Sequence, residues 1–343
     1  MGDRMTSEPL ASPDPLVPAY DLVLLDLDGV VYIGDHAVPH AAEALSAARD
    51  AGAGLHFVTN NASRRAPRVA ERLRGFGVAA TEDEVITSAQ GAAALLARQL
   101  PAGATVLVVG ADALVAEISD VGLRPTRSAD DKPAAVVQGY GREVGWEQFV
   151  EAAVAIRRGA QWVATNLDLT LPSARGPVPG NGSLVAAVAA AVDRRPDVVV
   201  GKPEPALFRQ ASQRRGAARP LVVGDRLDTD IEGAVRAEMP SLLVMTGVTS
   251  PAELLAAPPH QRPSYLAEDL RGLLAPHPEL RRDGERAGCG GWWAESADGA
   301  IRLTGDGERI DALRAACAIA WTTGVTELDT DSARAAGLVA SWT

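Results

Sequence analysis

Four short apolar runs in this chain each stop at residues able to do chemistry, and that repetition constrains the fold most. Residues 22–25 run into Asp26, and 55–58 into Thr59-Asn60-Asn61. Residues 197–200 run into Gly201-Lys202, and 221–223 into Gly224-Asp225. Continuous apolar runs of this length, separated by helical patterns, are the signature of buried parallel strands covered by helices. In such sheets ligands bind outside the carboxyl ends of the strands. The fold class predicted is therefore α/β, with a Rossmann-like parallel sheet as the core.

The chain of 343 residues is too long for one ordinary core. Between Thr59 and Lys202 lie further strand patterns at 105–109, 134–137 and 162–164. Helical patterns fall at 111–119, 146–157 and 184–192. This reads as an inserted α/β domain over 84–196, leaving a catalytic core made of 19–83 and 197–277. A helix is predicted over 41–50. Past 278 the character changes: residues 281–286 read as a charged linker. Two apolar stretches flanking Asp298-Gly299 then read as a hairpin, and 310–321 as a helix. The region 278–343 is thus expected to be a small ββα-like extension.

Net charge is −11 and the isoelectric point about 5.0, which excludes broad-patch binding to nucleic acid or anionic membrane. The two cysteines, Cys289 and Cys317, form no CxxC motif and no disulfide framework. The first twenty residues lack the apolar segment of a signal peptide, and no run reaches membrane-spanning length. The expected address is cytoplasmic.

Asp26 and Asp28 lie two apart at a strand end, so both can address one ligand; the pair suits a nucleophile and a general acid/base. Thr59, Asn60 and Asn61 offer hydroxyl and amide donors for phosphoryl oxygens. Lys202 brings a compact positive charge. Asp225 and Asp230 supply hard oxygens of the kind a magnesium ion takes, and Asp228 reads as a helix N-cap. His36, His40 and His56 lack metal-ligand spacing.

In order and spacing these four motifs resemble those of the haloacid dehalogenase superfamily. The inserted domain resembles the C2-type cap of its NagD-like phosphatases. Thr165-Asn166-Leu167-Asp168, Pro179-Gly180-Asn181-Gly182-Ser183 and Gly201-Lys202-Pro203-Glu204-Pro205 add to the match, which covers roughly residues 20–275. Pro39-His40 departs from the family's usual Pro-Gly.

The resemblance implies that Asp26 attacks phosphorus and that Asp28 protonates the leaving oxygen and later activates water. It implies Mg2+ held by the Asp26 side chain, the Asp28 carbonyl and Asp225, with Asp230 orienting metal-bound water or Lys202. Four carboxylates against one lysine leave the pocket negative, so a phosphate dianion needs the metal to approach. Thr59, Asn60 and Lys202 would hold phosphoryl oxygens. Substrate choice is expected in the cap loop 166–183, with Asn166, Asp168, Arg175 and Asn181. The cap-containing core with a Trp-bearing extension resembles the actinobacterial glycerol-3-phosphate phosphatases, which puts glycerol 3-phosphate forward as substrate. The extension also resembles part of an acetyltransferase-like fold.

The expected partners are a small phosphorylated metabolite and a second copy of the chain. Competing readings are a phosphatase for phosphoglycolate, pyridoxal phosphate or a nucleotide; a phosphotransferase; and a binding protein acting through the extension.

Overall fold

The computed structural model describes residues 8–171, 175–329 and 337–338, so parts of the 166–183 loop and of the extension lie outside the described residues. It divides into two compact units, residues 1–55 with 215–343, and residues 56–214. The first division falls inside the Gly54–Thr59 strand.

In the first unit, strands Leu22–Leu25, Pro220–Gly224, Ser241–Val244 and Tyr265–Ala267 lie side by side in that order, all parallel. Leu22 to Leu25 are all fully buried, as expected of a strand covered on both faces. Helix Ala41–Asp50 buries Ala41, Ala44, Leu45 and Ala48, the i, i+3, i+4, i+7 stripe of an amphipathic helix. It begins at His40 with φ of +64°, a left-handed backbone where glycine carries no penalty. The departure from Pro-Gly therefore sits where glycine would cost least.

The extension belongs to this unit. Its sheet is four-stranded and antiparallel: Arg281–Asp283, Arg286–Cys289, Trp292–Ala297 and Ala300–Gly305. Helix Arg309–Thr323 follows. The predicted charged linker at 281–286 is instead a hairpin, with Asp283 paired to Arg286 across Gly284-Glu285 and Gly284 at φ +60°. Its charges did not mark a linker because they serve the sheet. The guanidiniums of Arg281 and Arg286 lie 4.9 and 5.2 Å from the Trp293 ring, in cation–π range. Every residue from Asp311 to Trp321 is buried. The helix and extension strands share one apolar cluster with Leu227, Ile231, Leu243, Leu254, Leu255 and Leu266.

In the second unit, five parallel strands lie in the order Val198–Val199, Gln161–Ala164, Ala135–Gln138, Thr105–Val109, Arg124–Thr126. Trp162 is fully buried within its core. A further parallel pair joins Gly54–Thr59 to Val85–Thr87. The predicted helix at 184–192 starts earlier, at Asn181. Among the described residues, no helix is long and apolar enough to cross a membrane.

Candidate active site

Asp26 and Asp225 come together because their strands do. Leu25 pairs with Val223 in parallel register, and the Asp26 N–H donates to the Val223 carbonyl at 2.9 Å. Each strand then ends in an aspartate on the same rim of the sheet. One wide helical turn, Leu227–Ile231, brings in Asp230. One carboxylate oxygen from each of Asp26, Asp225 and Asp230 lies within 4.8 Å of the others, and all three residues are buried.

Backbone N–H groups hold two of these carboxylates, Asp225 and Asp230. The Val248 N–H donates to Asp225 Oδ2 at 2.7 Å, and the Arg226 N–H to Asp230 Oδ2 at 3.2 Å. Glycines make the room: a Cβ on Gly247 would lie 1.9 Å from Asp225 Oδ2, and one on Gly224 would lie 2.2 Å from Asp230 Cβ. Asp28 is exposed, at the turn where Gly29 takes φ of +86°. Asp228 is not the predicted N-cap. It lies inside the turn, where its carboxylate takes the Arg226 guanidinium at 3.0 and 2.8 Å. A charged partner two residues away outcompetes the backbone donors for it.

In the second unit, Thr59 and Asn60 are buried at the end of the Gly54–Thr59 strand. Thr59 Oγ1 accepts from the Asn61 N–H at 3.1 Å, and Asn61 Oδ1 caps Ser63 N–H at 2.8 Å and Arg64 N–H at 3.1 Å. The Asn60 amide meets the Lys202 backbone twice, accepting its N–H at 2.7 Å and donating to its carbonyl at 3.0 Å. It also donates to the Asp168 carboxylate at 3.1 and 3.2 Å. Lys202 is buried, and its ammonium donates to the Val58 carbonyl at 3.1 Å. Asn166 and Asn181 are buried beside this group, whereas Arg175 is exposed.

Sequence reasoning missed Ser88, whose hydroxyl donates to the Asn60 carbonyl at 2.6 Å. It also missed the Thr246-Gly247-Val248 loop against Asp225. That loop follows a fifth apolar strand, Ser241–Val244, so the same strand-end rule would have found it.

Three buried carboxylates of like charge are costly to hold together without a cation. Their hard oxygens, gathered on one rim, fit a divalent ion such as magnesium.

A model for haloacid dehalogenase-like hydrolases matches residues 23–124, and a related hydrolase-like model matches 199–273. A model for a GCN5-related N-acetyltransferase-like domain matches 289–343. D-glycerol 3-phosphate phosphatase from Mycobacterium tuberculosis is 47% identical over 300 residues, 85% of this chain and 80% of that protein. A 5′-nucleotidase from Bacillus subtilis is 37% identical over 232 residues, 67% of this chain and 89% of that protein. The crystal structure of glycerol phosphate phosphatase from M. tuberculosis in complex with magnesium superposes with a TM-score of 0.87 at 43% identity. That match covers 96% of this chain and 99% of that one.

The chain belongs to the haloacid dehalogenase-like hydrolases. Within that family it is a phosphatase, an enzyme that hydrolyses phosphoric monoesters.

Proposed function

We infer that this phosphatase is magnesium-dependent, acts on glycerol 3-phosphate and works through an aspartyl-phosphate on Asp26. The observation that carries the mechanism is the clustering of Asp26, Asp225 and Asp230 oxygens within 4.8 Å. The substrate rests on the 47% identity to a D-glycerol 3-phosphate phosphatase.

Asp26 Oδ attacks phosphorus in line, forming the acyl phosphate as the bond to the leaving oxygen breaks. Asp28, the exposed carboxyl two residues on, gives that oxygen its proton. It then takes a proton from the water that hydrolyses the acyl phosphate. The Thr59 and Asn61 side chains and the Asn60 backbone N–H donate to phosphoryl oxygens, the Asn60 side-chain amide being committed to Lys202 and Asp168, and the Lys202 ammonium offsets their charge. Asp26, Asp225, Asp230 and the Asp28 carbonyl would hold Mg2+, which supplies charge neutralisation for an approaching phosphate dianion.

In this reading 19–83 and 197–277 form the catalytic core, 84–196 the cap and 278–343 the extension. Asp168 and Arg175 lie in the loop that selects the leaving group. The enzyme is cytoplasmic and acts as a homodimer. The B. subtilis relative keeps a nucleotide as the second substrate to test.

The experiment is phosphate release from a panel of phosphomonoesters, with Mg2+ or with chelator, by wild type and Asp26→Asn. Preferred release from glycerol 3-phosphate, lost by a factor of ~10³ or more in the variant, is expected. Preference for a nucleotide would move the substrate and keep the mechanism. Metal-independent release, or full activity in Asp26→Asn, would sink the mechanism.

A further inference from the structure

We propose that Asn166 is a positioning residue. It ties the cap loop to the phosphoryl-binding loop and, through Asn60, sets where Lys202 stands. The proposal rests on the reading of Lys202 as a phosphoryl-binding residue and adds how that lysine is held.

Asn166 is 4% exposed, and both ends of its amide are engaged inside the protein. Nδ2 donates to the Asn60 carbonyl at 2.7 Å, and Oδ1 accepts the Asp168 N–H at 3.2 Å. Its own carbonyl accepts from Asn181 Nδ2 at 2.8 Å, and Asn181 is 1% exposed. Behind Asn181, Gln138 is fully buried and its Oε1 accepts from the Trp162 indole at 3.2 Å. A ladder of amides thus runs from the core of the five-stranded sheet to Asn60.

From Asn60 the ladder reaches Lys202 through the two reciprocal backbone bonds described above. Gly201 is required for the approach: a Cβ there would lie 2.5 Å from Asn60 Oδ1, 2.6 Å from the Thr165 carbonyl and 2.9 Å from Asn166 Cβ. Strand end, asparagine and lysine loop are packed too closely for any of them to shift alone. Buried hydrogen bonds of this kind are stronger than exposed ones and strengthen one another. A misplacement of about 1 Å at a charge-stabilising group costs on the order of a hundredfold in rate. The ladder therefore serves the lysine more than it serves the substrate: the Asn166 amide is buried, with Nδ2 and Oδ1 both bonded inside the protein.

A double-mutant cycle tests this. Asn166→Ala and Lys202→Ala are made singly and together in the full chain. Turnover of glycerol 3-phosphate, or of the preferred panel member, is measured with excess Mg2+ alongside each variant's denaturation midpoint. Asn166→Ala should lower kcat about tenfold in the wild-type background and less than about twofold once Lys202 is gone. Asn166→Asp keeps the shape and replaces the donor by an acceptor; it should show the same coupling even if the alanine variant folds poorly. An equal loss in both backgrounds, or no loss in wild type, overturns the proposal. Full activity in Lys202→Ala would instead remove the role assigned to the lysine, a different failure seen in a different variant.

Discussion

Asp26, Asp225 and Asp230 share a pocket with one another, whereas Asp311, in the same unit, shares its pocket with a guanidinium. Arg314 Nη1 bonds the Asp311 carboxylate, and both side chains are largely buried, at 7% and 11% exposure. Arg314 Nη2 donates to the Leu266 carbonyl and to His277 Nδ1, the latter at 3.3 Å. Gly290, at φ +54°, makes room for Asp311; a Cβ there would lie 2.3 Å from Oδ2. Burial and the adjacent carboxylate push the Cys289 thiol up to about 12, so it stays protonated and donates to Asp311. One cluster brings three carboxylates together; the other sets a carboxylate against a guanidinium. The first is arranged to receive a cation; the second joins the extension helix to the last strand of the catalytic sheet.

The largest test of this contrast is Arg314→Ala. Removing one partner of a buried pair leaves a buried charge and should cost about 3–5 kcal/mol, read from denaturant midpoints. Replacing both, as Asp311→Leu with Arg314→Met, should recover most of that loss, because apolar side chains of similar size need no counter-charge. If the single and double variants are equally unstable, the cluster does not act as a balanced pair.

The acidic cluster should answer in the opposite way. Adding Mg2+ at a hundred times its dissociation constant should stabilise the metal-free chain by about 2.7 kcal/mol. Asp225→Asn should lose that response and nearly all turnover. Without metal it should lose less stability than Arg314→Ala does, since one like charge has gone while an amide oxygen can still accept from the Val248 N–H. A metal-free Asp225→Asn protein much weaker than wild type would show the carboxylate to be structural.

These two clusters were not equally legible. The acidic one announces itself, because Asp26 and Asp225 each end an apolar run and parallel pairing puts strand ends on one rim. The helices at 41–50 and 146–157 were readable from apolar periodicity for the same local reason. The balanced cluster is assembled from residues 266, 277, 289, 311 and 314, whose contact depends on how the extension docks. No spacing encodes that. The hairpin at Arg281–Cys289 was hidden differently. Its strands carry charge because guanidiniums cover Trp293, and a charged stretch reads as linker unless the aromatic partner is known. Asn166 and Asn181 were found as polar residues of a loop. That their amides turn inward depends on contacts distant in sequence: Gly201 packs against Asn166, and the Asn181 amide bonds the Asn166 carbonyl.

The smallest effect separates the clusters by pH. His277 is 2% exposed, and burial holds its pKa below the usual 6.5, with Arg314 adding to the lowering while the Gly272 carbonyl and Asp311 oppose it. Its Nε2 lies 2.9 Å from the Gly272 carbonyl and Nδ1 faces Arg314. A neutral ring donating from Nε2 and accepting at Nδ1 satisfies both neighbours. The Tyr265 ring packs 5.1 Å away, centroid to centroid. A folded pKa below the unfolded one means that the unfolded chain takes up the proton first. Stability should therefore be fully present above pH 6.5 and fall as pH drops toward the folded pKa, at no more than about 1.4 kcal/mol per unit. His277→Gln, which keeps a neutral side chain, should have a lower midpoint at pH 7.5 but lose this part of the slope between pH 6.5 and 5.5. Metal-free protein is the sample to use, so that metal release from the acidic cluster does not add its own pH dependence. An unchanged slope in His277→Gln would mean that the ring is protonated as readily in the folded chain as in the unfolded one. The balanced cluster would then admit a second cation beside Arg314, and the distinction between the two clusters would fail.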